Sequence, residues 1–238
     1  MNRPWRERIA LVTGGGRGIG RSIVEALLAA QAAVVICGRK EAEVARAVEE
    51  LSALGRIAGK ACDVSRYEEV TELFRFIRGR LGGLDILVNN AGVGLFQPVD
   101  RIQPEEWRRV METNLSGAFY CSREAAPLMK QRGGGYIINI GSLAGKNAMA
   151  GGAAYNASKF GLLGLSEASM LDLRYDNIRV SCLLPGSVAT EFGGPVVSGQ
   201  SWKIAPQDIA QTVLGLIELP ERTMASLVEI RPTTPPRK

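Results

Sequence analysis

The 238-residue sequence contains no histidine. This absence excludes Ser-His-Asp and Cys-His nucleophilic sites, the usual histidine-containing zinc sites and a histidine general base. Any proton transfer by this chain must therefore use tyrosine, lysine, aspartate, glutamate or cysteine side chains.

Cysteine is scarce as well, with four residues in the whole chain. Cys37, Cys62, Cys121 and Cys182 are far apart, and no two of them have the C-x-x-C spacing of a metal or redox site. Each lies inside or beside an apolar run, which is typical of buried free thiols in a reducing compartment. We therefore expect neither a disulfide framework nor a bound metal.

Long apolar runs are also missing. No uninterrupted stretch approaches the ~20 residues that span a bilayer, and the charged start of the chain, MNRPWRERIA, does not resemble a secretory signal. The net charge is +5, but part of the excess lies at the two chain ends, and we find no basic face with interleaved aromatic residues and no nucleic-acid reader motif. These observations predict a cytoplasmic protein without a membrane or nucleic-acid partner.

Short apolar strands alternate with longer segments of helical period along the chain. About seven strands are predicted, in RIALVT, AAVVIC, IAGKACD, LDILVNNAG, GYIINIGS, IRVSCLLPG and SLVEIRP. Between them, helices are predicted over residues 19–30, 41–54, 67–81, 104–132 with a break near Asn114, 154–173 and 206–219. Because several strands are apolar on both faces, the pattern predicts a single α/β domain over residues 1–238, built on a doubly wound, mainly parallel sheet with helices on both faces.

A glycine-rich loop directly follows the first predicted strand. The segment TGGGRGIGRSI places five glycines at the start of a helix. Backbone without side chains can approach a pyrophosphate closely, and the helix N-terminus adds oriented N–H groups and partial positive charge. The spacing fits neither the strict G-x-G-x-x-G pattern nor a P-loop, in which Arg21 would replace the required lysine. A dinucleotide phosphate loop and a simple glycine-rich turn both remain open at this point.

The end of the second predicted strand bears on the choice of cofactor. Folds that bind NAD usually place an acidic residue there to hold the ribose 2′-hydroxyl, whereas those that bind NADP place a cation nearby. In VVICGRK, Gly38 takes the acidic position, and Arg39 and Lys40 follow. Arg17 in the glycine loop supplies a further guanidinium group, so that two such groups can bracket a 2′-phosphate. The pattern favours NADP over NAD, although Arg39 and Lys40 are also consistent with surface charges that lead into a helix.

The segment YNASK places a tyrosine and a lysine four residues apart. Tyr155 and Lys159 fall on one face of the predicted helix, with only small residues between them. A cationic ammonium one turn from a phenol favours the phenolate and lowers the phenol pKa from its usual value of about 10. Such a pair can do proton chemistry, but the same spacing also occurs in solvated surface pairs.

Seven motifs together resemble the short-chain dehydrogenase/reductase family. They are TGGGRGIG, CDV at 62–64, NNAG at 89–92, Asn114, Ser142, YNASK and PGSVAT at 185–190, in the order and approximate spacing of that family over nearly the whole chain. Several loops resemble the NADP-preferring branch that includes 3-oxoacyl-carrier-protein reductases. Gly16 departs from this pattern, because many relatives carry a serine there that helps to hold the 2′-phosphate. The resemblance implies a Rossmann-type fold and NADP(H) as the cofactor.

The resemblance also assigns residues to the cofactor. It implies that Asp63 and Val64 bracket the adenine and that Lys159 hydrogen-bonds the nicotinamide ribose. Asp63 could also simply cap a helix, and the Pro-Gly pair at 185–186 could simply end a strand. The full implied set is Gly14, Gly16, Arg17, Gly18, Ile19, Gly20, Arg39, Asp63, Val64, Asn90, Ala91, Gly92, Tyr155, Lys159, Pro185, Gly186, Val188 and Thr190.

The same resemblance implies catalytic roles. Hydride transfer to a carbonyl develops negative charge on the oxygen, and Tyr155 is expected to supply the proton as general acid/base. Lys159 and the oxidised nicotinamide are expected to lower the pKa of Tyr155. Ser142 would hold the substrate oxygen, and Asn114 would hold a water that links Lys159 to solvent. Alternatively, Ser142 is a turn cap and Asn114 is a helix-break residue.

Segments outside the motifs indicate features of the substrate site. A segment at about 187–204, rich in glycine and serine, is predicted to be a lid, and 231–238 a loosely held tail. Apolar side chains near the predicted catalytic residues indicate an apolar ketone or aldehyde as substrate. The candidate pocket walls are Phe96, Leu143, Met149, Phe192 and Trp202.

The helix predicted over residues 154–173 bears on assembly. It carries apolar or small residues on most faces, so that one face can pack on the sheet while another needs a partner. Members of the family that the chain resembles pair through this helix and the preceding long one. We therefore expect a homodimer or a homotetramer.

Three functions remain open from the sequence. The leading hypothesis is NADPH-dependent reduction of a ketone or aldehyde, with a 3-oxoacyl thioester among the candidates. The second is an NAD(P)-dependent alcohol, sugar or steroid dehydrogenase that works in the oxidative direction. The third, from a different class, is a non-catalytic cofactor-binding scaffold, against which the joint presence of Ser142, Tyr155 and Lys159 argues.

Overall fold

The computed structural model of the chain describes residues 3–192 and 201–236. Its strands form one sheet in the order β3-β2-β1-β4-β5-β6-β7, and every neighbouring pair is parallel. The predicted seven-stranded parallel sheet is therefore confirmed. The strands are β1 (Ile9–Thr13), β2 (Ala33–Gly38), β3 (Ile57–Ala61), β4 (Ile86–Asn89), β5 (Gly135–Ile140), β6 (Ile178–Pro185) and β7 (Leu227–Ile230).

Helices cover both faces of this sheet. Alternate residues of each strand point to opposite faces, so that Val12 of β1 packs with α1, α2 and α7. Leu11 of the same strand packs with α3 and α5 on the other face, where residues of α6 join them. The predicted doubly wound arrangement is confirmed. The helices are α1 (Gly18–Ala29), α2 (Glu41–Leu51), α3 (Tyr67–Leu81), α4 (Pro104–Met111), α5 (Gly117–Gln131), α6 (Ala153–Leu173) and α7 (Pro206–Glu218).

The break expected near Asn114 is wrong. α4 and α5 are joined by a π-helical turn over Glu112–Ser116, and the residues that flank this turn keep helical dihedral angles. A π-helical turn widens the helix locally without ending it and frequently marks a functional site. Asn114 lies within this turn and is almost fully buried. The polar residues of this segment resemble a helix end in the sequence, but the side chain of Asn114 forms hydrogen bonds inside the fold.

The strand order reverses between β1 and β4, where consecutive crossovers run to opposite sides. In open parallel sheets, ligands bind in the crevice beyond the carboxyl ends of the strands at such a switch point. The glycine loop after β1 and the NNAG segment after β4 both lie at this point. The fold therefore brings the predicted motifs to one edge of the sheet.

The described residues also bear on other expectations. Among them, no helix is both long and apolar enough to cross a bilayer, and no cluster of three or more cysteine or acidic side chains is placed to hold a metal ion. All four cysteines are buried and free. The predicted lid and tail fall partly on residues 193–200 and 237–238, which lie outside the described part of the chain.

Candidate active site

The glycine loop is tightly packed at the switch point. Gly14 has a φ of 64°, which favours glycine, and a Cβ atom added at Gly20 would lie 2.4 Å from the carbonyl oxygen of Gly14. A Cβ atom at Gly16 would instead meet only Ala47, at 3.6 Å. The loop therefore needs glycine at positions 14 and 20, whereas position 16 has space for a side chain.

Thr13 ties this loop to the segment after β4, a role that the sequence analysis missed. Its Oγ1 accepts hydrogen bonds from the backbone N–H groups of Asn90 and Ala91, both at 3.0 Å. In return, Nδ2 of Asn90 donates to the carbonyl oxygens of Thr13, at 2.9 Å, and Gly14, at 3.2 Å. The only signal in the sequence is that a threonine directly precedes the glycines. Ala91 and Gly92 continue along the same wall of the crevice.

Cationic side chains gather where α1 and α2 begin. Arg17 is the N-cap residue of α1, and no side chain caps that helix. Nζ of Lys40 lies 2.7 Å from Oε1 of Glu43. This hydrogen bond is the main cause that lowers the pKa of Glu43, and the charge of Arg17 lowers it further. Arg17 therefore lies near the turn that carries Arg39 and Lys40, all three of which are exposed.

Asp63 and Val64 follow β3 but are largely engaged within the protein. Oδ1 of Asp63 accepts hydrogen bonds from the N–H, at 3.0 Å, and the hydroxyl, at 2.7 Å, of Ser65. The side chain of Val64 is buried against Gly117, where an added Cβ atom would lie 2.8 Å from Val64 Cγ2. Asp63 thus supports the turn before α3, and the contribution of Val64 to an adenine site would come from its backbone.

The α6 helix brings Tyr155 and Lys159 to the same edge of the sheet. Both side chains are buried, with exposed fractions of 8% and 5%. The side chain of Ser142, which follows β5, lies near the Tyr155 hydroxyl. Oγ of Ser142 also accepts a hydrogen bond from the Ala144 N–H, at 3.1 Å. Ser142 therefore caps a turn and also contacts Tyr155, so that its two suggested roles are compatible.

Burial dominates the electrostatics of this pair. It raises the pKa of Tyr155, and the nearby side chain of Ser142 opposes that shift. It also lowers the pKa of Lys159 to about 8. Nζ of Lys159 donates to the Ile140 carbonyl oxygen at 2.8 Å and lies 5.8 Å from the centre of the Tyr155 ring. We expected Lys159 to lower the pKa of Tyr155. In the structure, burial instead raises the pKa of Tyr155. The Tyr155 hydroxyl therefore stays protonated and can donate its proton.

Asn114 joins the loop after β4 to α6. Its Oδ1 accepts from the Val93 N–H at 2.8 Å, and its Nδ2 donates to the Val93 carbonyl oxygen at 2.9 Å. Nδ2 also donates to Oγ of Ser158 at 3.0 Å, and that hydroxyl donates to the Tyr155 carbonyl oxygen at 2.8 Å. Ser158 is a further residue that the sequence analysis missed, although YNASK contains it.

The PGSVAT segment returns from β6 to the glycine loop. Pro185 ends β6, and the Gly186 N–H donates to the Ile230 carbonyl oxygen at 2.8 Å. Val188 forms a bridge with Ile204. A Cβ atom added at Gly18 would lie 3.6 Å from Thr190 Cγ2, so that Thr190 lies against the loop that leads through Ile19 into α1.

Two of the five candidate pocket-wall residues contact Tyr155. The rings of Phe96 and Phe192 have centres 5.3 Å and 5.9 Å from that of Tyr155. Leu143 lies beside Gly186, and Met149 lies beside Gly152. Trp202 has the ammonium of Lys203 over its ring at 5.9 Å. The structure therefore brings the two phenylalanines into direct contact with the predicted catalytic tyrosine.

Comparison with known proteins gives a consistent result. The family model for short chain dehydrogenases matches residues 8–201. A 3α-hydroxysteroid dehydrogenase from Mediterraneibacter gnavus is 36% identical over 79% of this chain and 76% of its own length. An oxidoreductase from Staphylococcus saprophyticus is 32% identical over 95% of this chain and 98% of its own length.

Solved structures extend this similarity to the fold. A metagenomic short-chain oxidoreductase in complex with NADP is 37% identical, with a TM-score of 0.85, over 96% of this chain and 98% of that one. An alcohol dehydrogenase from Thermococcus sibiricus, complexed with 5-hydroxy-NADP, is 26% identical, with a TM-score of 0.89, over 97% of this chain and 99% of that one.

Proposed function

This chain belongs to the short-chain dehydrogenase family, and from that membership we propose that it is an NADPH-dependent oxidoreductase that reduces a ketone or an aldehyde to an alcohol. The observation that carries the proposal is that Tyr155 is buried with the Ser142 side chain near its hydroxyl and the buried ammonium of Lys159 5.8 Å from its ring centre. These three groups stand at the switch point of the sheet, where a ligand crevice is expected.

The residues present fit NADP(H). The uncapped N-terminus of α1 offers N–H groups and partial positive charge to a pyrophosphate. Arg17 and Arg39 are both exposed, at the starts of α1 and α2, and can hold a 2′-phosphate, for which the arginine fork is well shaped. The NADP complex of a similar short-chain oxidoreductase supports this choice. When bound, the reduced nicotinamide supplies the hydride for reduction.

The other cofactor contacts follow from position in the crevice. We place the adenine at the end of β3 and the nicotinamide end between the segment after β4 and the PGSVAT segment. The residues assigned to these contacts are Gly14, Gly16, Gly18, Ile19, Gly20, Asp63, Val64, Asn90, Ala91, Gly92, Pro185, Gly186, Val188 and Thr190.

The chain's own residues handle the substrate oxygen and its proton. The Ser142 hydroxyl holds the carbonyl oxygen close to Tyr155, which donates its phenolic proton as negative charge develops on that oxygen. The ammonium of Lys159 favours the phenolate that remains and can hydrogen-bond the cofactor ribose. Asn114 fixes the loop after β4 against α6, and we place the proton-linking water of the family at this residue.

Replacement of Tyr155 tests the proposal. The Tyr155→Phe variant keeps the ring contacts but removes the proton donor, so we expect turnover of NADPH with a carbonyl panel to fall at least about a thousandfold. Its affinity for NADPH, measured by fluorescence titration, should change less than about twofold. Tyr175→Phe is a matched control, because Tyr175 is 86% exposed beyond the end of α6. Appreciable residual reduction by the Tyr155→Phe variant would overturn the proposal.

Replacement of Arg39 tests the cofactor preference. In Arg39→Asp, a carboxylate repels the 2′-phosphate and can accept a hydrogen bond from the 2′-hydroxyl. We expect the ratio of kcat/KM for NADPH to that for NADH to fall about a hundredfold or more, the equivalent of two charge-assisted hydrogen bonds. Arg108→Asp on α4 should leave this ratio unchanged. An unchanged ratio in Arg39→Asp would refute the assignment.

A dehydrogenase that works in the oxidative direction is the second candidate. The similar 3α-hydroxysteroid dehydrogenase and alcohol dehydrogenase favour an alcohol or steroid substrate. Assays with NADP⁺ and a panel of alcohols, sugars and steroids distinguish this candidate from the reductase. A non-catalytic scaffold would bind NADPH without turnover in either direction.

We further infer a homodimer or homotetramer in the cytoplasm that acts on a small-molecule substrate. Neighbouring helices expose large apolar side chains, including Trp107 on α4 and Phe160 on α6. Such exposure is common where subunits associate. The four buried free cysteines are consistent with a reducing compartment.

A further inference from the structure

Two phenylalanine rings contact the ring of Tyr155. Phe96 lies in the segment after β4 and Phe192 in the segment after β6, and their rings are tilted by 56° and 49° to that of Tyr155. Tilted pairs at centre distances of about 4.5 to 7 Å are the favourable geometry for aromatic rings. Two chain segments that are far apart in the sequence therefore meet at one side chain.

Gly94 allows this arrangement. A Cβ atom added at Gly94 would lie 3.0 Å from Phe96 Cε2 and 3.1 Å from Phe192 Cε1. Both rings therefore pack against the bare backbone at the same position. A side chain at position 94 would require these rings to shift by a few tenths of an ångström.

The two phenylalanine rings are also open to a ligand. Phe96 is 45% exposed and Phe192 is 49% exposed, whereas Tyr155 is 8% exposed. The exposed parts of these two rings lie beside the buried ring of Tyr155, so a bound substrate can cover them. We define these two rings and Gly94 as the aromatic slot.

The charge that the structure shows beside Tyr155 is the Lys159 ammonium, 5.8 Å from the ring centre. The side chains of Phe96 and Phe192, by contrast, carry neither a charge nor a hydrogen-bonding group. A carboxylate or phosphate placed against these two rings would lose hydration without compensation from them. The slot therefore suits an uncharged group.

We propose that the substrate is a ketone whose carbonyl carbon carries an uncharged aromatic ring, and that Phe96 and Phe192 determine this specificity. The inference rests on the proposed carbonyl reduction and names the substrate class of the same site. Ser142 and Tyr155 fix the position of the carbonyl oxygen. The larger substituent of the carbonyl carbon then lies against the rings that border Tyr155, where a flat ring continues the tilted packing.

Acetophenone and cyclohexyl methyl ketone test the proposal as a matched pair, since they have the same carbon skeleton and differ in whether the ring is aromatic. Aromatic ring pairs contribute about 0.5 to 1.5 kcal/mol beyond the area they bury, which corresponds to about a two- to twelvefold preference. We expect kcat/KM with NADPH to favour acetophenone by a factor in this range. Equal values, or a preference for the saturated ketone, would overturn the proposal.

Two leucine variants show whether the slot is responsible. Phe96→Leu and Phe192→Leu keep apolar bulk but remove the ring, so each should reduce the preference for acetophenone to less than about half, while kcat/KM for cyclohexyl methyl ketone changes less than about twofold. Phe119→Leu on α5 is the control, because Phe119 is 44% exposed and its recorded ring contact is with Tyr120. A preference that persists in both slot variants would overturn the proposal.

A binding measurement separates this inference from the proposed function. Calorimetry of acetophenone with the wild-type enzyme saturated with NADP⁺ requires no turnover. If no ketone is reduced but acetophenone binds more tightly than the saturated ketone, and binds more weakly in the slot variants, the reductase proposal fails while the preference of the slot for an aromatic ring stands. If ketones are reduced without any aromatic preference in turnover or binding, the slot proposal fails alone.

Discussion

The buried ammonium of Lys159 has an energetic cost for the fold. Among the described residues, no carboxylate forms an ion pair with Lys159, and its recorded hydrogen bond goes to the Ile140 carbonyl oxygen. Removal of a charged group from water is unfavourable unless a counter-charge compensates. The lowered pKa of Lys159, about 8, reflects this cost. A residue that the proposed chemistry needs is therefore one that destabilises the folded chain.

Lys159→Met should separate stability from activity. A lysine in the unfolded chain titrates near 10.4, and in the folded chain near 8, so the unfolded chain binds more protons between these pH values. The free energy of unfolding of the wild type should then rise with pH across this window. At pH 7 the variant should be more stable by about 1 to 3 kcal/mol, although it loses turnover.

Chemical denaturation at pH 7 and pH 9.5 measures this difference. The stability gain of Lys159→Met should shrink at the higher pH, because the wild-type lysine is then mostly neutral. Lys146→Met, which removes an exposed ammonium paired with Glu229 rather than a buried one, is the comparison variant. A variant that is less stable than the wild type at pH 7, or a difference that does not depend on pH, would contradict this account.

Single residues differ in how well the sequence predicts them. Tyr155, Lys159 and Ser142 stand out because their motifs keep a characteristic order, although their catalytic roles remain predictions. The direction of the Tyr155 pKa shift was not predictable, because it depends on burial by segments that the spacing of YNASK does not reveal. Thr13 and Ser158 were missed for a similar reason, since their partners Asn90 and Asn114 lie 77 and 44 residues away.

At the scale of elements, the π-helical turn over Glu112–Ser116 sets the direction in which Asn114 points, and thereby affects the site. An uninterrupted α-helix would give Asn114 a different direction, since the turn inserts extra backbone between α4 and α5. In the observed geometry, Asn114 reaches both the loop after β4 and α6. The other helices and strands were predicted well because apolar period and length distinguish them. The π-helical turn has no distinctive apolar period, and the polarity of its residues alone suggested that the helix breaks there.

Asn114→Ala should weaken both the fold and the site. The change removes three hydrogen bonds and leaves the partly buried N–H and carbonyl groups of Val93 without these partners. Unsatisfied buried groups cost about 1 to 3 kcal/mol each, so we expect a loss of roughly 2 to 4 kcal/mol in the free energy of unfolding, measured in urea. The KM for NADPH should also rise, because the loop after β4 loses its anchor.

Exposed Asn147 provides the control for this prediction. Asn147→Ala should change the free energy of unfolding by less than about 0.5 kcal/mol. If Asn114→Ala were as stable as this control, the hydrogen bonds to Val93 and Ser158 would not hold the loop against α6. Loss of stability with an unchanged KM for NADPH would limit the role of Asn114 to the fold.

At the scale of the whole molecule, the sheet order explains why one edge collects the motifs. The sequence predicted parallel strands with helices on both faces, but it did not predict the order β3-β2-β1-β4-β5-β6-β7. The strand order depends on which face of the sheet each crossover helix packs against. Right-handed crossovers are compatible with more than one strand order. Once β1 and β4 are neighbours, the segments after them must face each other. Residues far apart in the sequence thereby meet at the switch point.

Large apolar side chains remain exposed on one side of this sheet. Phe119 on α5, Phe160 on α6 and Leu171 on α6 are 44%, 45% and 49% exposed. The α4 helix, which exposes Trp107, packs against α6. Exposed apolar surface of this kind favours association, because burial removes it from water. The surface of α4, α5 and α6 is therefore the side where we expect a second copy of the chain.

Phe160→Glu tests the expected assembly. The monomer mass is 25.6 kDa, and light scattering of the wild type at micromolar concentration should give twice that mass or more. A carboxylate at position 160 would be desolvated in the interface, at a cost of several kcal/mol, so the variant should dissociate toward the monomer. Leu54→Glu is the matched control, because Leu54 is 51% exposed in the turn after α2, on the opposite face of the sheet. A monomeric wild type, or equal masses for all three proteins, would show that α6 does not form the contact.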